Sequence, residues 1–588
     1  MPVSDSRNSW ENNFSKILIR LFIALGIIGI IAAVLFDFSP NPALLASFRK
    51  IALGIGDARR IQAAGMHKLD AELVYIIKRI KLFLPFFTAL IFIWGWLWNF
   101  IHRTASTLSG NAPQTPPKRY TMPFAGLFLA MGLALSLRLI LFNQSLFYDE
   151  IYSFFNFIAR DNLLKSITTY MNLNNHLLYS ILARGSISIF GNTEWALRLP
   201  ALIFGLAGIW AFGRLSGLTG NKDIAWVSIC LLVFSPAHID QSQQARGYTA
   251  LVFFSALSCY FFLRGLKEPE SGVWRKFMLV TVLGFCAHLY MFMVLLAEVV
   301  TVIVITYFFR PSKNQSTADD FRVTNRFFLY STLAGITVFL IYLPALPFIG
   351  FEFFRDYPRQ NVGLDFLVSM VKFIGPGDQG WDSGLTHVFL FLTGAVFIWR
   401  RERAMAILAI NLFLAPVALI TLSRPVYLYP RFFIFFLPAY LVVIACGVYG
   451  ISQKIIPKRA SIIGAIIAGF LVTCALPSLD MIFTKERQNY RQAASIIRRA
   501  TQKDAPVIAP GIAGSEIAYY LKDRRIIKVK TLKEVEGLRI TYPDAAVLLT
   551  YLPTIEPELA EFFRHNYRLL YYDNSRISSV MVYAPKGH

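Results

Sequence analysis

Long apolar runs separated by short polar stretches dominate this chain. Runs of about 18 or more apolar residues make helices long enough to cross a bilayer. Read this way, the pattern predicts an α-helical polytopic membrane protein with about thirteen spans. They fall near 17–36, 82–101, 122–142, 196–216, 224–238, 247–264, 277–288, 291–309, 327–349, 386–400, 404–422, 431–450 and 460–478. The stretch 277–309 would be about 50 Å long as one helix against a hydrocarbon core of about 30 Å. A break is therefore expected at His288-Leu-Tyr290. The runs are continuous rather than alternating, which excludes a membrane β-barrel. The first run is too long for the h-region of a cleavable signal peptide, so it reads as a membrane helix.

The pattern changes twice. Residues 104–118 are rich in Ser, Thr, Pro and Gly and read as a linker. Residues 1–110 then form an N-terminal two-span hairpin, and 120–480 form the main transmembrane body. From about 480 onward, candidate helices (488–502, 514–522, 556–565) alternate with short β-rich runs at Val507–Ala509, Ile526–Val529, Ala546–Thr550, Leu569–Tyr572 and Ser579–Tyr583. Residues 481–588 are thus expected to be a small α/β soluble domain. It contains no Gly-rich phosphate loop.

Composition agrees with the membrane reading: 55% of residues are hydrophobic, 15% are aromatic and the mean hydropathy is +0.51. The net charge of +23 would suggest nucleic acid on a soluble domain. Here the basic residues mark loops held inside, and no nucleic-acid partner is expected. With Lys118 and Arg119 inside, alternate body loops carry sixteen basic residues and six acidic ones. That parity orients the body and puts the C-terminal domain outside. The segment 37–81 violates it, carrying eight Lys and Arg on the side expected to be outer. The five cysteines (Cys230, Cys259, Cys286, Cys446, Cys474) lie inside apolar runs, which fits small core residues rather than disulfides or metal ligands.

This topology sorts the polar residues by side. Asp149 and Glu150, His176, the segment His238–Tyr248 with Gln244 and Arg246, His288 and Arg431 all fall outside. Each has a plain structural reading: acids ending a helix in water, a flank arginine, satisfied histidines. Their convergence from independent segments on one membrane face instead suggests one site. Ile151, Phe154, Phe155 and Ile158 follow the acids at helical spacing. This predicts an amphipathic helix in the interface, holding the carboxylates at head-group level. There a carboxylate can take a proton from an attacking hydroxyl. The guanidinium of Arg246, and on a weaker case that of Arg431, suits a phosphate. The outer loop 350–385, with Asp356, Tyr357, Asp365, Asp378 and Asp382, is placed to cover the site.

The ordered set resembles the GT-C superfamily of integral membrane glycosyltransferases. It comprises a span, an Asp-Glu loop, a short helix, Arg198-Leu-Pro-Ala201, Ser242-Gln-Gln-Ala-Arg-Gly-Tyr248, His288-Leu-Tyr and Pro430-Arg-Phe…Leu437-Pro-Ala. Within the superfamily it is most similar to protein O-mannosyltransferases and bacterial aminoarabinose transferases (glycosyltransferase family 39 and relatives), over about 120–480. The resemblance implies an inverting enzyme that takes its sugar from a polyprenyl-phosphate donor. It also implies Asp149 as the base with Glu150 beside it, and Arg246 near the donor phosphate. His176, Gln244, Tyr248 and His288 remain further site candidates. Many members have His-Pro-Pro where this chain reads Asn174-Asn-His-Leu-Leu178, so His176 matches and the prolines do not.

The expected acceptor is a lipid, a polysaccharide or a protein. The expected location is a bacterial inner membrane, with the site and the C-terminal domain on the periplasmic or extracellular side. No cofactor is required, and although no ligand spacing marks a metal site, two adjacent carboxylates leave room for a divalent metal. The rival readings are a transporter or lipid flippase, which would predict repeated broken helices, and a non-catalytic scaffold of the cell envelope.

Overall fold

The computed structural model describes residues 3–35, 88–99, 120–169, 174–268, 270–309, 317–346, 362–380, 384–423, 428–511, 513–550 and 555–586, with a few isolated positions between them. The segment 37–81, the linker 104–118, and Asp356, Tyr357 and Asp382 of the outer loop lie outside the described residues, isolated positions aside. Helices cover all the described apolar runs. Eight are long and apolar enough to cross a membrane, or nine if one bent pair counts as a span. Thirteen full spans are therefore not what the described helices give. Three further apolar helices are shorter: Phe124–Leu139, Leu177–Phe190 and Leu385–Trp399. The helix Ser271–Ala287 has only 17 residues. At 1.5 Å per residue such helices fall short of a hydrocarbon core of about 30 Å.

The break expected at His288–Tyr290 is present: α1 of the central pair (Ser271–Ala287) ends there and α2 (Met291–Phe308) begins after it. The run expected as one span at 224–238 is instead broken. Its halves, Lys222–Val233 and Pro236–Ser242, meet at 54°. Pro236 sits in the first turn of the second half, where its missing N–H costs nothing, and Ser235 caps that half through the His238 N–H. The break frees carbonyls at the end of the first half. Arg138, fully buried, donates to the Leu232 and Val233 carbonyls (3.4 and 3.3 Å) and lies 2.7 Å from His238 Nδ1.

The N-terminal helix Val3–Leu35 and the helical residues 88–99 lean on the helix Thr317–Tyr342. Trp94 and Trp98 donate to Thr332 and Asn325, each at 2.9 Å, and Arg326 pairs with Glu11 at 2.8 Å. Elsewhere two helices meet backbone to backbone. A Cβ on Gly394 of Leu385–Trp399 would run into the Val443 carbonyl, and one on Gly447 of Leu437–Ile455 would run into the Leu390 carbonyl. Small residues at such a crossing let membrane helices approach closely.

Residues 490–586 form the expected α/β domain. Its five-stranded sheet contains β1 (Val507–Pro510), β2 (Ile526–Val529), β3 (Ala546–Thr550), β4 (Tyr567–Asp573) and β5 (Val580–Pro585), in the order β2-β1-β3-β5-β4. β1 pairs parallel with β2 and β3, and β5 pairs antiparallel with β3 and β4. The central strands β1 and β3 are buried throughout, which fits their apolar runs, while the edge strand β2 is only partly buried. The pattern missed one helix, Leu532–Thr541, whose apolar residues are sparse.

The short helix after the two acids differs from expectation. Tyr148–Ser153 continues as a π-helical turn over Phe154–Ile158. The extra residue of that turn shifts the helix phase. Phe157 becomes buried and Phe155 points outward, 38% exposed. The apolar face packs on protein, not on a lipid interface. Ile151, Phe154 and Ile158 join Tyr179 and Leu197 from the body and Tyr490, Ile497 and Ile517 from the α/β domain in one core.

Substituting Gly447→Val should separate the two crossing helices. We expect a loss of about 1–3 kcal/mol, as for other overpacked contacts, read as a lower thermal midpoint in detergent, with Gly469→Val, which meets open space, as the neutral control.

Candidate active site

Residues 144–147 have no regular structure and link the helix Phe124–Leu139 to the helix Tyr148–Ser153. Leu141, in the preceding turn, has φ 52°, a conformation rare for a leucine. The segment is fixed from below by Glu150 and Arg198, both fully buried. The guanidinium grips the carboxylate at two points, Nε to Oε1 at 2.8 Å and Nη2 to Oε2 at 2.6 Å. Its remaining hydrogens go to the carbonyls of Phe142, Gln144 and Ser145. Glu150 also accepts the Phe147 N–H at 3.1 Å and the Ala245 N–H at 2.6 Å. Every oxygen of Glu150 is therefore consumed inside the protein. The geometry gives it the task of shaping the loop and tying it to the Arg246 segment, and no path to a substrate.

Asp149 is placed differently. Successive helical residues point about 100° apart, so the neighbour of a buried glutamate faces the opening. Its carboxylate pairs with Arg431 Nη2 at 2.9 Å, with 16% of the aspartate side chain and 27% of the arginine exposed. Arg431 lies over the Tyr429 ring, 4.8 Å from its centre. Tyr290 and Phe432 pack beside it, with ring centres 5.0 Å apart. Behind the pair, Arg246 is 1% exposed. It donates to Asn174 Oδ1 at 2.5 Å and to Ser153 Oγ at 3.2 Å, and reaches the Asp149 carbonyl at 3.4 Å. Arg246 has no carboxylate partner among the described residues, and its Nε is unbonded there. A buried guanidinium held only by neutral groups is an anion site in waiting.

His176, Tyr248 and His288 form a ring cluster beside the arginines. Ring centres are 4.5 Å apart for the two histidines, 5.4 Å for His176 and Tyr248, and 5.1 Å for Tyr248 and His288. Gly247 makes this possible, because a Cβ there would meet the Ala287 carbonyl and His176 Cβ. Burial, with Arg246 and His288 nearby, holds His176 well below the ordinary imidazole range. Burial, with Arg246 and Arg431 nearby, brings His288 down to about 3. Both rings are thus neutral near pH 7, and neither Nε2 has a partner among the described residues.

The structure therefore gathers Asp149, Arg246, Arg431, His176, Tyr248 and His288 at one end of the body. Glu150 lies beneath them. Gln244 does not join: its amide donates to Asp240 at 2.7 Å, facing the α/β domain. Arg198 and Asn174 enter the site's framework without having been singled out for chemistry. Arg198 carried a usable signal, a charge at the start of an apolar span on the face where basic residues are scarce. Asn174 carried none. Among the described residues no three His, Cys, Asp or Glu side chains form a metal-binding group. A divalent metal at Asp149 would draw its other ligands from elsewhere.

Comparison with known proteins agrees with this architecture. Residues 175–318 match the family model of dolichyl-phosphate-mannose-protein mannosyltransferases. No curated protein sequence matches the chain. Among solved structures, ArnT from Cupriavidus metallidurans is similar in its apo state, with a TM-score of 0.52 and 12% identity over 78% of this chain and 98% of ArnT. The same protein bound to undecaprenyl phosphate matches at 0.52 and 13% identity, with the same coverage. The oligosaccharyltransferase AglB from Archaeoglobus fulgidus, in complex with an inhibitory peptide and a dolichol-phosphate, aligns at 0.44 and 11% over 79% of this chain and 74% of AglB. The chain shares the fold of ArnT over most of its length.

Two stability measurements check this geometry. Removing one partner of a buried ion pair strands the other, at a cost of about 3–5 kcal/mol. Arg198→Met and Glu150→Gln should each sharply lower the yield of folded protein, and the double variant should lose less than the sum of the two.

The histidines make stability pH-dependent. Their folded pKa values lie below the unfolded value of about 6.5. Above that value the stability is intact. Below it the unfolded chain takes up protons that the folded one does not, and stability falls by up to about 1.4 kcal/mol per pH unit per histidine. The thermal midpoint should drop between pH 7 and 5, and a His176→Gln/His288→Gln variant should show a flatter profile.

Proposed function

We propose that this protein is a glycosyltransferase that moves a sugar from a polyprenyl-phosphate donor to an acceptor. The observation that carries the reading is the pairing of a half-open Asp149 with Arg431, backed by the buried and carboxylate-free Arg246. The shared fold of an ArnT that was captured with undecaprenyl phosphate supports it. A phosphodiester entering this opening would meet two guanidiniums, one exposed at the rim and one fixed behind it.

The reaction is a direct displacement at the anomeric carbon. The acceptor oxygen bonds to that carbon as its O–H proton passes to Asp149. The bond from carbon to phosphate oxygen breaks, and its electron pair leaves on polyprenyl phosphate. Attack from the side opposite the leaving group inverts the anomeric centre. Arg246 and Arg431 balance the charge that grows on the leaving phosphate, and such fixed charge supplies much of the barrier reduction in transfers of this kind. When the donor phosphate draws Arg431 toward itself, Asp149 loses a partner and becomes free to accept the acceptor's proton. Glu150 takes no part in these steps and keeps the loop in shape. The two neutral histidines and Tyr248 line the side of the phosphate site with hydrogen-bonding groups that carry no charge.

The alternation of basic loops supports placing this end of the body away from the cytoplasm, and a bacterial inner membrane is the location this reading takes. The acceptor is a lipid, a polysaccharide or a protein, and both hexosyl and pentosyl donors fit the reading.

Purified protein in vesicles, given radiolabelled polyprenyl-phosphate sugars and an envelope extract, should transfer label to an acceptor. Movement of the donor across the bilayer without transfer would favour a flippase. Asp149→Asn should reduce transfer by at least about a hundredfold while leaving thermal stability within 1–2 °C or so of the parent. Arg246→Gln should weaken donor use more than acceptor use.

A further inference from the structure

The irregular segment 144–147 has no ladder of its own to satisfy its backbone, so its donors can be traced one by one. The Gln144 N–H goes back to the Leu141 carbonyl, and the Phe147 N–H goes to Glu150. The other three nearby donors leave the membrane body altogether. Ser145 donates to Glu486 Oε2 at 3.2 Å, Leu146 to the Tyr520 hydroxyl at 2.7 Å, and Tyr148 to Gln488 Oε1 at 2.9 Å. All three acceptors belong to the C-terminal domain or to the strand of chain leading into it. The contact is returned from the other side. The Arg487 N–H donates to Gln144 Oε1 at 3.0 Å, and Arg491 donates to the Asn143 carbonyl at 2.8 Å.

The same stretch reaches the second site segment. Arg487, 1% exposed, donates to the carbonyls of Asp240 and Gln243 and pairs with the Asp240 carboxylate at 2.6 Å. Arg576 joins that carboxylate at 3.0 Å. The Arg487 guanidinium also lies 5.6 Å from the centre of the Phe147 ring. Residues 240–246 carry Arg246, and residues 143–149 carry Asp149. Both segments are therefore gripped from the same direction by residues 486–491, Tyr520 and Arg576.

We propose that the C-terminal α/β domain is a positioning element of the active site: Glu486, Gln488 and Tyr520 hold the backbone that presents Asp149, and Arg487 locks that loop to the segment that presents Arg246. The domain binds no substrate in this scheme. It replaces water as the partner of three backbone amides, and so orders a loop that no described residue of the membrane body orders from above. Fixing each loop residue in one conformation costs chain entropy, which these contacts offset. The catalytic part of this inference rests on the transferase reading, whereas the clamp itself does not.

The test uses the full chain in lipid nanodiscs and reads amide hydrogen exchange over 143–152 together with transferase kinetics. Tyr520→Phe and Gln488→Leu each remove one acceptor. Combined, they should speed exchange at 145–148 by about tenfold or more and leave the body helices and β3 unchanged. The kcat should fall about tenfold while the KM for the polyprenyl-phosphate donor stays within about twofold. Gln488→Glu, which keeps an acceptor oxygen, should retain protection. Asn489→Ala removes the cap of the helix Tyr490–Ala500 and touches no loop backbone, so it should leave 145–148 protected. Unchanged exchange in the double variant would overturn the proposal, and so would equal opening in Asn489→Ala. Faster exchange in a protein with no transferase activity would sustain the clamp and sink the transferase reading alone.

Discussion

The end of the molecule that carries the candidate site depends on one buried ion pair. Glu150 and Arg198 are both fully removed from solvent, and four contacts that define the loop before Tyr148, with a fifth to the Ala245 amide, end on one or the other. A charge in such a place is tolerated only when it is paired and its remaining hydrogen-bonding capacity is used. Meeting that demand dictates where three carbonyls and two amides must lie. The path of the chain from the helix Phe124–Leu139 to Asp149 follows from it.

Two adjacent acids can then serve opposite ends. The helix turns about 100° between them, so a glutamate anchored inward leaves its neighbour facing out. The longer side chain suits the deep partner, and the shorter one holds its carboxylate close to the backbone that positions it. Asp149 inherits its precision from a residue that never meets the opening.

Much of this was legible in the sequence, for specific reasons. Loop charge alternates strictly enough to sort residues by side, and Asp149, His176, Arg246, His288 and Arg431, sorted that way, lie together in the structure. The length of 277–309 exposed the break at His288. The β-rich runs after 480 marked the strands almost residue for residue. What stayed hidden depended on other forces. Pro236 splits a run that hydropathy alone treats as continuous. The π turn at Phe154–Ile158 alters a phase that periodicity assumes constant. Apolar periodicity announced that a face would be buried there, but could not say whether lipid or the C-terminal domain would bury it. Adjacent Asp and Glu look alike in a sequence, and only the position of Arg198 separates their roles.

Arg138 carries a consequence for how the protein is made. It lies in the first helix of the body, is fully buried, and besides the Ala134 carbonyl of its own helix its polar partners sit about a hundred residues later, at Leu232, Val233, His238 and Ser242. Arg138 stands in the last turn of that helix, and a charge there is costly to leave unpaired beside lipid tails. When the helix Phe124–Leu139 emerges from the ribosome, the carbonyls and imidazole that will receive this charge have not yet been synthesised. The set of partners that buries this charge is complete only once the chain beyond Pro236 has arrived. The broken helix thus finishes the burial of a charge translated well before it.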